Sequence, residues 1–152
     1  MDLIRFNRLE WADREVSLPH QATPGSTGLD IYANLPPSYR DKGVYLNPRD
    51  WNVVPTGFTM DIPIGMDVQI RSRSGLSVKY GVVVLNAPGT IDSDYKEEVE
   101  IVLLNHGTGG GFRVDHGTRI AQMVVSTYIL PFDHEVPEPQ VRIGGFGSTG
   151  ER

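Results

Sequence analysis

Apolar and polar side chains change places at every step through Met66, Asp67, Val68, Gln69, Ile70 and Arg71. That two-residue period is the mark of a strand with one face turned to a core. Similar short runs at 57–62, 82–85, 99–104 and 120–130 are each bounded by Gly, Pro, Asn or Asp and predict further antiparallel strands. Hairpin or loop signals separate them: NPRD at 47–50, PIG at 63–65, NAPG at 86–89 and HGTGGG at 106–111. Only 75–80 has the length and flanks of a helix, with Ser74 placed to cap it and Gly81 to stop it. The stretch 36–52, carrying Tyr39, Tyr45 and Trp51, reads as a surface loop over the core. An all-β antiparallel sandwich or barrel follows.

From Pro131 onward the pattern changes. Prolines at 131, 137 and 139 lead into GGFGSTGER, which has almost nothing to bury. The expected organisation is therefore one domain, with a β-rich core over 1–130 and a mobile linker and arm over 131–152. Seventeen Gly and eleven Pro in 152 residues agree with frequent turns and little helix. The absence of Cys removes disulfides, thiolate metal sites and cysteine nucleophiles together. A formal charge of −5 argues against a nucleic-acid backbone as partner, because such binding needs a basic face. No apolar run is long enough to span a membrane and the amino end lacks a signal-peptide layout, so the expected compartment is the cytoplasm.

The histidines at 20, 106, 116 and 134 lack the paired spacing of a zinc site, and no nucleophile-elbow motif is present. His106 and His116 flank turns and read as solvated loop residues. Three segments carry possible chemistry. In RSRSGLSVKYG, Arg71 and Arg73 precede a Ser-Gly turn and a helix start, which gathers guanidinium groups, a hydroxyl and free amides. The segment suits phosphate, and equally the outward end of a strand. LNAPGTIDSDYKEEVEI sets Asp92 and Asp94 two residues apart beside Tyr95. A carboxylate there can serve as a general base toward water, although Asp-Ser-Asp is also ordinary turn chemistry. The terminal GGFGSTG offers many backbone donors but lacks the lysine and helix of a P-loop. By itself it reads as a loose tail, except that Phe146 has no core to join and is suited to stacking on a planar ligand.

Five segments, in order, resemble the five motifs of the homotrimeric dUTPase family: STGLDIYA (26–33), SRSGLSVKYG (72–81), NAPGTIDSDY (86–95), RIAQM (119–123) and GGFGSTG (144–150). The resemblance implies a jelly-roll-like or β-clip subunit with a mobile C-terminal arm. It implies a homotrimer with three active sites, each assembled from three chains: the first, second and fourth segments from one subunit, the third from its neighbour and the arm from the last. The implied reaction is hydrolysis of dUTP to dUMP and pyrophosphate by water attack on the α-phosphorus. That reaction limits uracil incorporation into DNA and supplies dUMP for thymidylate synthesis.

Carried over by position, the resemblance makes Asp92 the residue that aligns the attacking water. Asn86 and the turn through Gly89, Thr90 and Ile91 read the uracil edge, and Tyr95 lies against the deoxyribose to exclude a 2′-hydroxyl. Arg73, Ser74, Gly75 and Gln122 hold phosphate oxygens. Phe146 covers the base, while Gly147, Ser148 and Thr149 close over the β and γ phosphates. Mg²⁺ is the implied cofactor, held mainly by the substrate phosphates, with Asp30 near it and acting through water. Two positions depart from the family pattern. Lys96 is followed by Glu97 where Gly is common, and Arg142 stands two residues before Gly144 where the family has its arginine three before. Arg142 belongs to the implied phosphate-binding set with that offset. A dCTP deaminase shares the subunit architecture but not the IDSDY segment, and a nucleotide-binding module without turnover would carry the same residues.

Overall fold

A computed structural model describes residues 4–129 and 144–146 of the chain. In chain order the elements are β1 (Arg5–Arg8), β2 (His20–Gln21), β3 (Leu29–Tyr32), a 3-10 turn (Pro37–Tyr39), β4 (Val44–Leu46), β5 (Trp51–Pro55), β6 (Phe58–Asp61) and β7 (Met66–Arg71). They continue with α1 (Ser74–Tyr80), β8 (Val82–Val84), β9 (Gly89–Ile91), β10 (Glu100–Asn105), β11 (Phe112–Val114) and β12 (Arg119–Thr127). All strand pairs are antiparallel.

The strands form a five-stranded sheet in the order β2-β3-β12-β7-β9, a three-stranded sheet β5-β10-β8, and two pairs, β1-β6 and β4-β11. Among the described residues they do not close into a barrel, so of the two expected architectures the jelly-roll-like stacking of sheets is the one observed. Closure needs continuous pairing around the ring, and the short strands end at turns before providing it. Ile31, Leu35, Leu46, Met60, Ile101, Leu103, Ile120 and Met123 are fully buried where the sheets meet. All but Leu35, which follows β3, come from strands far apart in sequence, and this common core holds the sheets in one unit.

Three local readings change. Ser74 does not cap α1: Arg73 occupies the N-cap position in extended geometry without a side-chain cap bond, and the Ser77 hydroxyl donates back to the Arg73 carbonyl at 3.0 Å. Gly81 does stop the helix, at φ 68°, a left-handed conformation in which its N–H reaches the carbonyls of Leu76 and Ser77. The stretch 36–52 is more than a covering loop, since it supplies the 3-10 turn, β4 and the start of β5, and buries Leu46.

His116 is not a solvated loop residue either. Its Nδ1 accepts the Leu35 N–H at 2.9 Å and its Nε2 lies 3.2 Å from Asp13 Oδ2, which fixes the tautomer as Nε2–H. His106 is exposed, as expected. The linker and arm expected from 131 onward fall outside the described residues except at Gly144, Gly145 and Phe146.

Candidate active site

The described residues singled out from the sequence divide into two groups, one on each face of β7. Side chains alternate along a strand, so Ile70 and Arg71 point to opposite sides of the sheet. Ile70 is buried and pairs with Gly89 of β9, whereas Arg71 is exposed and pairs with Gln122 of β12.

On the Ile70 side is a cleft of about 240 Å³. Its walls include Asn86, Gly89, Thr90, Ile91, Asp92 and Tyr95 from the loop and strand after β8, with Glu100 and Val102 of β10 opposite and Gly145 and Phe146 of the arm at its edge. The cleft exists because β8 pairs with β10 only at Leu103, Leu104 and Asn105. After one further bond, from the Leu85 N–H to the Val102 carbonyl at 2.9 Å, the chain leaves β10 and Gly89–Ile91 pairs with β7, so the gap between the two strands stays open. Gly89 is buried, and a Cβ built there would lie 3.2 Å from Asn86 Nδ2, so the amide of Asn86 lies close over a backbone without a side chain.

Asp92 is half-buried at the end of β9, and its carbonyl accepts the Tyr95 N–H at 3.2 Å in a turn. The Tyr95 hydroxyl donates to the Glu98 carbonyl at 2.7 Å, which holds the ring in place. A Cβ on Gly145 would stand 3.3 Å from that ring, so the arm's backbone lies against Tyr95. Just past the turn, Glu98 Oε1 accepts N–H groups from Thr56 at 3.1 Å and Gly57 at 2.8 Å. Burial pushes the Glu98 carboxyl above the usual glutamate range despite those bonds. The Glu100 carboxyl is raised as well, by burial first and by repulsion from Glu97 second.

On the other face, Asp30, Gln122 and Arg71 stand opposite one another across β3, β12 and β7 and form one polar row. Asp30 Oδ1 accepts from Arg73 Nε at 3.2 Å and Oδ2 from Arg119 at 3.0 Å, while a second Arg73 nitrogen donates to the Arg119 carbonyl at 3.0 Å. Arg119 was not singled out from the sequence, although it opens RIAQM. Its proximity to Asp30 depends on a register shift between Arg119 and Ala121, a bulge that turns Ile120 and Ala121 both inward and leaves Arg119 and Gln122 both outward. The Gln122 amide donates to the Ser72 carbonyl at 3.0 Å, and the Ser72 hydroxyl in turn accepts the Val84 N–H at 2.9 Å. Ser74 and Gly75 are exposed at the start of α1 beside Arg73.

The structure thus gathers Asn86, Gly89, Thr90, Ile91, Asp92, Tyr95 and Phe146 at one cleft, and Asp30, Arg73 and Gln122 at another surface with Ser74 and Gly75 beside it. It does not bring the two groups together within one chain. Arg142, Gly147, Ser148 and Thr149 lie outside the described residues. Among the described residues no cluster of three or more His, Asp or Glu offers a protein cage for a metal, and both Asp30 oxygens are engaged by guanidinium groups. That donor set fits an ion carried by a ligand's own phosphates rather than one held by side chains alone.

The chain is thus a jelly-roll-like β protein with a cleft on one face of β7 and a separate polar row carrying arginines on the other. A mutant dUTPase from phage phi11 of S. aureus, described for the coordination of a structural Mg(II) ion, superposes on it with a TM-score of 0.71 at 20% identity, covering 90% of this chain and 98% of that one. The dUTPase family profile matches residues 14–150. The deoxyuridine 5′-triphosphate nucleotidohydrolase of Dinoroseobacter shibae is 44% identical over 152 residues, 97% of each chain. That of Chlamydia muridarum is 42% identical over 139 residues, covering 89% of this chain and 92% of the other. The chain belongs to the dUTPase family.

Proposed function

We propose that this enzyme hydrolyses dUTP to dUMP and pyrophosphate, with Asp92 directing water at the α-phosphorus. The observation that carries the reading is the cleft itself. It is lined by Asn86, Gly89, Thr90 and Ile91 together with Asp92 and Tyr95, a set of groups fitted to a pyrimidine ring, a sugar and a water. Asn86 and the turn through Gly89, Thr90 and Ile91 read the base, and the fixed Tyr95 ring leaves no room for a 2′-hydroxyl. The Asp92 carboxylate accepts a proton from the water as its oxygen bonds to phosphorus, the bond to the α,β-bridging oxygen breaks, and pyrophosphate leaves. Bound to the phosphates, Mg²⁺ supplies charge neutralisation for the leaving group. Asp30 sits nearest that region and positions Arg73, while Ser74, Gly75 and Gln122 take phosphate oxygens. The arm brings Phe146 over the base, and Arg142, Gly147, Ser148 and Thr149 to the outer phosphates.

We further propose that the site is shared between chains of a homotrimer. Since the base cleft and the phosphate row of one chain face opposite sides of β7, a nucleotide in the cleft meets its phosphate groups on a neighbour. Among the described residues no helix is long and apolar enough to cross a membrane, and we assign the enzyme to the cytoplasm, the compartment of the nucleotide pool. Incubation with dUTP and Mg²⁺ is expected to release pyrophosphate, with chelation by EDTA and the Asp92→Asn change each lowering kcat, the latter by about a thousandfold. No pyrophosphate from the unaltered protein, or ammonia released from dCTP, would overturn the reading.

A further inference from the structure

Arg71 lies on the phosphate row but has no part in the machinery described so far. We propose that it is a further binding residue for the triphosphate chain, acting beside Gln122. The inference rests on the dUTP-hydrolase reading and deepens it. Three observations support it.

First, sheet register puts Arg71 directly opposite Gln122, which is itself opposite Asp30, so all three side chains stand on one face. Second, the other cations of that face are already engaged. Arg73 and Arg119 both donate to Asp30, and Arg73 is tied down further at the Arg119 carbonyl. Their charge is partly cancelled by Asp30 before any ligand arrives. Third, Arg71 keeps its charge. Its guanidinium donates to the neutral Gln69 Oε1 at 2.8 Å, and among the described residues no carboxylate lies within ion-pair distance of it. The Gln69 bond uses one N–H of a fork that has several, so the group is held in orientation on the row with donors left to offer.

A deoxynucleoside triphosphate carries about −4 at neutral pH and comes to a chain that is itself at −5. Electrostatic attraction at this distance is set by local groups, because exposed charges are screened beyond about 8 Å at physiological ionic strength. A planar cation held beside the phosphate-binding amide of Gln122 is the local group that adds attraction for a polyphosphate while leaving a nucleoside monophosphate nearly unaffected.

The test compares unaltered enzyme with Arg71→Gln and Arg71→Lys at low salt. Equilibrium affinity is measured for dUMP and for the non-hydrolysable α,β-imido analogue of dUTP, beside KM and kcat for dUTP. Arg71→Gln is expected to weaken the imido analogue and raise KM by about tenfold, with dUMP affinity within twofold of normal and the loss falling on KM more than on kcat. Arg71→Lys should recover part of the loss, and 0.5 M NaCl should narrow the gap between variant and parent. Equal weakening of dUMP and the imido analogue, or an Arg71→Gln enzyme that matches the parent at low salt, overturns the role. Failure of the parent to hydrolyse dUTP is a different result and counts against the enzymatic reading, while the binding measurements still decide on Arg71.

Discussion

Gly28 shows how closely the phosphate row is packed. A Cβ at that position would fall 2.2 Å from Gln122 Oε1, so any side chain there must push the amide aside. The obstructing atom is the end of a flexible side chain rather than backbone, and the glycine needs no left-handed conformation, so the cost to the fold is small. Gly28→Ala is therefore expected to cost less than about 1 kcal/mol of stability. Because the displaced amide no longer holds the Ser72 carbonyl or meets a phosphate squarely, kcat/KM for dUTP should fall by about tenfold. Calorimetry beside steady-state kinetics separates the two effects, and a loss of activity only in proportion to unfolding would contradict the packing argument. Glycine at 28 is visible in the sequence as part of a motif. That it marks the resting place of a side chain 94 positions away is not, because nothing local to Gly28 specifies its neighbour on β12.

At the scale of elements, β10 combines a core strand with a cleft wall, and its first residue carries the cost. Glu100 is half-buried, and its carboxyl is raised by burial and then by repulsion from Glu97. A carboxyl raised in the folded state binds its proton more tightly when folded than when unfolded. It therefore contributes stability that is fully present below the unfolded value, near 4.3, and is lost as pH rises through the higher folded one. Glu100→Gln is thus expected to be more stable than the parent at pH 7 in urea denaturation, with the advantage shrinking as pH is lowered toward 4. An advantage that is independent of pH would show that the charge is not its origin.

The bulge at Arg119 to Ala121 belongs to the same scale. Strict alternation along β12 would turn Arg119 toward the core, and one extra residue returns it to the face of Asp30 and Gln122. The alternating pattern was enough to find the strand, whose observed span is Arg119–Thr127. It could not locate the bulge, which depends on pairing with β3.

Over the whole molecule, cleft and row lie on opposite faces of a single sheet, which is the geometry behind the proposed sharing of sites between chains. If chains share sites in that way, inactive Asp92→Asn subunits mixed with inactive Arg73→Ala subunits should regain activity after exchange, since Asp92 lies at the cleft and Arg73 on the row and the defects then fall on different contributors. Equal mixing with free exchange places an intact Asp92 and an intact Arg73 together at about a quarter of sites. No recovery once exchange has been verified by native mass measurement would mean that each site is built within one chain.

Short-range regularities carried much of this molecule. The resemblance to the dUTPase motifs grouped Asp92, Tyr95 and Asn86, which the fold does bring to one cleft; beside it, the two-residue period exposed the main strands, turn residues separated them and Gly81 marked the end of the helix. These features depend on steric and hydrogen-bonding preferences acting over a few residues. Pairing between remote strands supplied the rest. It engages both oxygens of Asp30 with Arg73 and Arg119, sets Arg71 beside Gln122, ties His116 to Leu35 and Asp13, and turns base cleft and phosphate row away from each other. A partner across a sheet is chosen by register and burial over the whole core, and neither is encoded in any one stretch of chain.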